Sequence, residues 1–125
     1  MQNKQQLMER IEKIRVELNL NFDEYSVLLL ENEIDVYNEQ TNNNYYNDKI
    51  VFEYGLFYGQ CLINVYGGNW MLDPATKKLK IKIKPYLIID PFQAIRYYFK
   101  DNFNNASFYL FFKSLSHFIQ KKNNN

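Results

Sequence analysis

The sequence predicts an α+β fold in a single domain, with about five helices around a small antiparallel β-sheet of about three strands. Apolar residues recur every three or four positions in several stretches, as they do in amphipathic helices. Residues 79–84 instead alternate apolar residues with lysines, the pattern of a half-buried strand. The chain has 125 residues, enough for one hydrophobic core. We therefore expect one domain over residues 1–125, with residues 122–125 as a disordered tail.

The first two helices are predicted from their apolar stripes. The first spans Lys4 to Leu18 and presents Leu7, Ile11, Ile14 and Leu18. Asn21 or Asp23 can cap the second helix, which runs to about Gln40. Its predicted buried residues are Tyr25, Leu28, Leu29 and Val36. The polar run from Thr41 to Asn44 then ends this helix.

A third helix, from about Asn47 to Tyr66, is apolar around much of its circumference, which predicts a central position. Gly55 and Gly59 leave a bare patch on it where another part of the chain can pack closely. Each of these glycines costs about 1 kcal/mol of helix propensity. Gly67 and Gly68 are predicted to end the helix, because glycine accepts a positive φ.

Strands and two further helices are predicted after the glycine pair. Strands are expected at 69–72, 79–84 and 86–89, with Pro74 in the turn between the first two. Trp70 is interpreted as a structural residue wedged between this hairpin and the central helix. Asp90 as N-cap and Pro91 at the first helical position begin the fourth helix, which runs to about residue 101. The last helix is expected at 106–121, with its core face formed by Phe108, Phe111, Phe112, Leu115, Phe118 and Ile119.

The residue inventory lacks the usual groups of an enzyme. The chain contains one cysteine, Cys61, and one histidine, His117, which argues against a metal site and a disulfide. No phosphate-binding loop, dinucleotide motif or nucleophile elbow is present. We therefore expect no catalysis, no cofactor and no metal. The absence of a signal peptide and of a long apolar run predicts a cytoplasmic protein outside the membrane.

Charge is unevenly distributed along the chain. Residues 17–53 contain nine acidic residues and one lysine, a net charge of −8, whereas residues 77–122 contain ten basic and two acidic residues, a net charge of +8. Glu31, Asp35 and Glu39 recur at every fourth position, where like charges destabilise a helix by about 0.2–0.5 kcal/mol per pair. Two interpretations remain open: a patch that steers a basic partner, or a solvated face whose acids pair with nearby lysines.

A second charged feature is the lysine row of the predicted middle strand, formed by Lys80, Lys82 and Lys84. Such a row can neutralise phosphates, but it also protects a sheet edge against aggregation. Because the overall charge is only +1, we expect no nucleic-acid binding.

Three motifs resemble those of small uncharacterised bacterial proteins: Gly55-Leu56-Phe57-Tyr58-Gly59-Gln60, Gly67-Gly68-Asn69-Trp70 and Asp90-Pro91-Phe92. Those proteins carry a G-x-x-x-G-E helix, a G-G-x-W turn and a late D-P-F helix start. Some of them are similar to immunity proteins encoded beside toxins of interbacterial competition systems. Gln60 departs from the pattern, which frequently has glutamate there. The resemblance implies inhibition of a cognate protein toxin by binding, without catalysis.

Our sequence-based hypothesis places the toxin-binding surface on the acidic second helix, at Glu31, Asp35, Glu39 and the tyrosine Tyr37. An interaction or scaffold domain that forms a homodimer is the alternative. An enzyme would instead require a cleft in which Tyr54, Tyr58, Gln60 and Trp70 meet around a polar centre.

Overall fold

The helix that carries the two spaced glycines lies at the centre of the molecule. A computed structural model of the chain describes residues 3–40, 47–83, 87–102 and 106–119. In order, its elements are α1 (Lys4–Leu18), α2 (Glu24–Gln40), α3 (Asp48–Tyr66), β1 (Asn69–Leu72), β2 (Leu79–Ile83), β3 (Leu87–Ile89), α4 (Pro91–Lys100) and α5 (Phe108–Ser114), followed by a 3₁₀ turn at Leu115–His117. The predicted α+β class, with five helices and three antiparallel strands, is confirmed.

Helix boundaries coincide with capping side chains. Asn3 and Gln6 form a reciprocal capping box at the start of α1. Of the two residues predicted to cap α2, Asp23 does so, because its Oδ1 accepts a hydrogen bond of 2.8 Å from the Ser26 amide. Asp90 caps α4 by accepting hydrogen bonds from the Phe92 and Gln93 amides, with Pro91 as the first helical residue. The predicted start of α4 is therefore confirmed.

The sheet has the order β1–β2–β3 and packs one face on α3. Trp70 pairs with Ile81 and Leu72 with Leu79, so these side chains share the inward face, together with Ile83 and Ile89. Asn69, Met71, Lys80, Lys82 and Ile88 occupy the outward face. Because β2 is central, β1 and β3 are the two edges of the sheet.

The glycine pair between α3 and β1 has the predicted conformation. Gly67 has φ +85° and Gly68 has φ +115°, which side chains rarely allow. A Cβ on Gly68 would also lie 2.5 Å from the Lys82 carbonyl oxygen. The pair turns the chain sharply from the central helix into the edge strand.

The predicted buried stripe of α2 is wrong. Tyr25 is 65% exposed and Val36 is 52% exposed, whereas the buried face consists of Ser26, Val27, Leu30, Glu31, Ile34 and Asn38. Three consecutive leucines at 28–30 leave the orientation of the helix ambiguous in the sequence. The observed face buries Val27, Leu30 and Ile34 completely, and the polar groups beside them are tolerated because they find hydrogen-bond partners inside.

The last helix is shorter than predicted. Phe108, Phe112 and Leu115 are buried as expected and Ile119 is half-buried, but Phe111 is largely exposed and Phe118 is 80% exposed. The α-helix ends at Ser114 and continues as a 3₁₀ turn, which removes Phe118 from the buried stripe. Four predictions fall outside the described residues: the helix break at 41–44, the strand positions Lys84 and Tyr86, the end of the last helix at 121 and the tail at 122–125.

Candidate functional site

The first residue of the predicted binding surface, Glu31, belongs to the interior. It is only 8% exposed, and its Oε1 accepts hydrogen bonds from the Ser107 hydroxyl at 2.6 Å and the Tyr109 amide at 3.1 Å. Ser107 in turn is the N-cap of α5 and accepts a bond from the Leu110 amide. The carboxylate therefore accepts from one of the free amides at the start of α5, where a negative charge is favoured.

Asp35, one turn further along α2, is also occupied internally. Its Oδ1 accepts hydrogen bonds of 2.8 Å from the Tyr98 hydroxyl and from the Asn102 side-chain amide. Burial, followed by the hydrogen bond to Asp35, raises the pKa of the Tyr98 hydroxyl. Glu31 and Asp35 thus attach the end of α4 and the start of α5 to α2, and this explains two of the three regularly spaced acids.

The other two residues of the predicted surface lie further out. The half-buried ring of Tyr37 packs edge-on against Phe99, with 5.4 Å between ring centroids, while Glu39 is exposed. The premise of an acidic row facing solvent is therefore wrong at Glu31, and Asp35 is half-buried. The structure explains these two acids through hydrogen bonds within the fold. A partner-binding role for the four residues stays a prediction.

Turning α2 in this way leaves a different set of side chains towards solvent, five of them exposed and Leu29 half-buried. We call this set the outer face of α2: Tyr25, Leu29, Asn32, Glu33, Val36 and Glu39. At 3.6 residues per turn they fall within an arc of about 120°. Leu29, Asn32, Glu33 and Val36 line a shallow hollow of about 350 Å³ with Leu18 and Leu20 of the preceding segment. The Glu33 carboxylate is held there by a 3.3 Å hydrogen bond from the Tyr54 hydroxyl.

Sequence reasoning assigned the apolar members of this outer face to the core. No local signal could have corrected this, because acids at this spacing can equally face water. Only a distant donor, such as the Ser107 hydroxyl that binds Glu31, allows one of them to be buried.

Gly55 and Gly59 of α3 each allow an aromatic ring to pack directly against the helix backbone. A Cβ on Gly55 would lie 2.3 Å from the Phe92 ring, and a Cβ on Gly59 would lie 2.3 Å from the Trp70 ring. Trp70 also donates a 3.1 Å hydrogen bond from Nε1 to Gln60 Oε1. The expected position of Trp70, between the hairpin and the central helix, is confirmed.

Beside Trp70 lies a groove of about 600 Å³, which we call the β1 groove. One wall is the start of α1, the floor comes from α3, and the other wall is β1 with the following turn. Its lining is mostly apolar, and both of its charged residues are lysines: Lys4, Leu7, Met8, Phe52, Gln60, Ile63, Gly68, Asn69, Trp70, Met71, Leu72, Lys77 and Leu79. Sequence reasoning found Trp70 but not this groove, because its walls come from three separate segments.

Groups with catalytic potential are dispersed. Cys61 is fully buried, and burial raises the pKa of its thiol, so the thiol is held in its unreactive form. His117 is exposed on the 3₁₀ turn. Tyr58 and Tyr66 donate their hydroxyls to the carbonyls of Phe108 and Phe112 inside the core.

Within the described ranges, no group of three or more metal-ligating side chains occurs. In the same part of the chain, no helix has the length and apolarity needed to cross a membrane. The arrangement offers surfaces for binding: the outer face of α2 and the β1 groove.

Comparison with known proteins adds no relative. No protein-family model, no protein of known function and no solved structure matches this chain.

Proposed function

We propose that this chain is an immunity protein of the cytoplasm, which binds a cognate bacterial toxin and neutralises it without catalysis of its own. The observation that carries the proposal is the outer face of α2. Tyr25 and Val36 are more than half exposed there, next to the carboxylates of Glu33 and Glu39. Apolar side chains bordered by charges of one sign are typical of a protein-binding surface.

The charges define the partner. Residues 17–53 carry a net charge of −8; two of its acids, Glu31 and Asp35, are bound within the fold, but Glu33 and Glu39 are exposed on the outer face of α2 and favour a partner with a basic surface. Such complementarity accelerates encounter and fixes orientation, while the exposed apolar groups supply contact area. A toxin domain that acts on nucleic acid presents a basic surface of this kind. The proposed contact set is Tyr25, Leu29, Glu33, Val36 and Glu39.

A second candidate is a self-associating scaffold domain. It is favoured by the charge of +8 over residues 77–122, which complements the acidic segment of another copy. That contact can form twice across a two-fold axis, acidic segment to basic segment in each direction, and would then give a homodimer without any toxin. The toxin-binding proposal and this alternative therefore predict different assemblies.

The experiment is co-purification from the native host followed by a protection assay. The chain is recovered at high salt, any protein that stays bound in stoichiometric amount is identified by mass spectrometry, and that protein is expressed alone and together with the chain. We expect toxicity that the chain abolishes. A bound protein without toxicity, or recovery of assemblies of the chain alone, would contradict the proposal.

Matched variants locate the contact surface. Val36→Lys and Glu33→Lys should weaken toxin binding at least tenfold and shorten protection. Val16→Lys is the control, because Val16 is 59% exposed on α1 and Val36 is 52% exposed on α2. Equal effects of Val36→Lys and Val16→Lys would remove the assignment to α2 while leaving the toxin-binding function itself intact.

A further inference from the structure

The β1 groove follows the free edge of the sheet. Side chains of a strand alternate between its two faces, so consecutive residues line one cavity only when that cavity runs along the strand's edge. Gly68, Asn69, Trp70, Met71 and Leu72 all line the groove, whereas β2 contributes only Leu79. The cavity is therefore an elongated space beside β1.

The edge offers unpaired backbone groups. In an antiparallel pair, alternate residues of an edge strand direct their N–H and C=O groups away from the neighbouring strand. β1 is paired only with β2, through the register Asn69 to Lys82 and Leu72 to Leu79. No other described residue forms a backbone hydrogen bond with β1. An added strand would lie about 4.8 Å from β1, within the groove.

The walls define the side chains that such a strand would carry. Leu7, Met8, Phe52, Ile63 and Leu72 make the groove apolar. Leu72 is 42% exposed although it shares the inward face of the sheet with Trp70. An incoming strand would cover this apolar surface with every second side chain.

The charges of the groove favour acidic residues, and disfavour basic ones, at the remaining positions of the incoming strand. Lys4 and Lys77 are its charged lining residues, and neither forms an ion pair with another described residue. Arg10 lies above the ring of Phe52, with 4.8 Å from Cζ to the ring centroid. Lys4 and Arg10 therefore place positive charge on the α1 side and Lys77 places it in the turn after β1, where Asp73 is engaged by Lys80 at 3.0 Å.

We propose that the β1 groove binds an extended segment of a partner protein, with alternating apolar and acidic residues, as a fourth strand of the sheet. Backbone pairing with β1 would supply affinity, while the apolar wall and the lysines would supply specificity. A second copy of this chain is disfavoured, because β1 carries no acid to meet Lys77 and Asp73, which follows β1, is already bound by Lys80 at 3.0 Å. This site lies apart from the outer face of α2, has the opposite charge and does not depend on the proposed function.

The test is a selection of displayed random twelve-residue peptides on the full chain, with counter-selection on Leu72→Asp. We expect enriched peptides that alternate apolar and acidic residues. Their synthetic versions should change the fluorescence of Trp70, the single tryptophan. Two versions of each peptide are then compared, one with its backbone amide nitrogens methylated at odd positions and one at even positions. Only one of the two versions should lose binding, because strand pairing uses every second amide.

Variants separate this site from a general apolar surface. Lys77→Glu should raise the Kd at least tenfold, and Leu72→Asp should abolish binding. Leu110→Asp is the control, since Leu110 is exposed on α5 outside the groove. Each variant is first checked for an unchanged circular dichroism spectrum.

Three results would overturn the proposal. The first is enrichment of basic peptides or of no peptides at all. The second is equal binding by the two methylated versions, which would indicate an apolar pocket without strand pairing. The third is a concentration-dependent dimer that Leu72→Asp dissociates, which would assign the edge to a second copy of the chain.

Discussion

Gly59→Ala tests whether position 59 of the central helix is glycine because the Trp70 ring packs against it. The added methyl group would lie 2.3 Å from Trp70 Cη2 and 2.8 Å from Ile81 Cδ1, both well inside van der Waals contact. Overpacking of this kind costs about 1–3 kcal/mol. The alanine also contributes about 1 kcal/mol of helix propensity. We therefore expect a net loss of up to about 2 kcal/mol in the free energy of unfolding.

The decisive result is a change of sign in a second background. Trp70→Leu removes the atoms nearest to the new methyl group and leaves space into which the flexible end of the Ile81 side chain can move, so the gain in helix propensity should then dominate. Gly59→Ala should then stabilise the Trp70→Leu protein by about 1 kcal/mol. The two effects of Gly59→Ala should differ by about 1–3 kcal/mol, the energy that couples the two positions.

The assay is urea unfolding followed by circular dichroism in all four proteins, with thermal melts as a second measurement. For a chain of this length, 1 kcal/mol corresponds to about 4 °C in Tm. Asn32→Ala on the exposed face of α2 is the control and should have the same small effect in both backgrounds. A coupling energy below about 0.5 kcal/mol would refute the claim that Gly59 is glycine because of Trp70.

Three other predictions concern the buried polar groups. Glu31→Ala should destabilise the protein by about 1–3 kcal/mol, because it leaves the half-buried Ser107 hydroxyl and Tyr109 amide without their acceptor, whereas Glu39→Ala at an exposed position should stay within about 0.5 kcal/mol in the same urea assay. Cys61 should react with a thiol reagent at pH 8 at least 100 times more slowly in the native protein than in urea; equal rates would show that the thiol is accessible. Burial raises the pKa of Tyr66 to about 12, above its unfolded value of about 10, so its contribution to stability is complete below pH 10 and is lost as the pH rises towards 12. The urea midpoint should fall over this interval, and less steeply in Tyr66→Phe; identical slopes would contradict the shift.

Much of the fold was predictable because local signals agreed. The glycine pair at 67–68, the Asp90–Pro91 helix start and the alternating lysine strand each have a short-range physical cause. They therefore placed α3, β1, β2 and α4 within a few residues of their observed bounds. The central position of α3 also followed from the sequence, since a helix that is apolar on most sides must be covered on most sides.

The face of α2 was not predictable from local signals. Its buried side includes Glu31, whose hydrogen-bond partners Ser107 and Tyr109 lie more than 70 residues away in the sequence. A rule that buries the most apolar stripe fails when a distant helix start supplies donors for a carboxylate. The β1 groove was hidden for the same reason, because no single segment contains more than one of its walls.

The hydrogen bond between Glu31 and Ser107 also has a consequence for the order in which the helices fold. The two residues are 76 positions apart, and α5 has only seven residues, too few to be a stable helix by itself. During synthesis α2 leaves the ribosome long before its partner exists, and its carboxylate remains in water until α5 arrives. We therefore expect α5 to dock late in folding, which would give Ser107→Ala a φ-value near zero, and its docking completes the side of α2 that faces inward. Glu31 and Asp35, predicted from the sequence to form a surface, instead join α2 by hydrogen bonds to the two helices that fold around it from the second half of the chain.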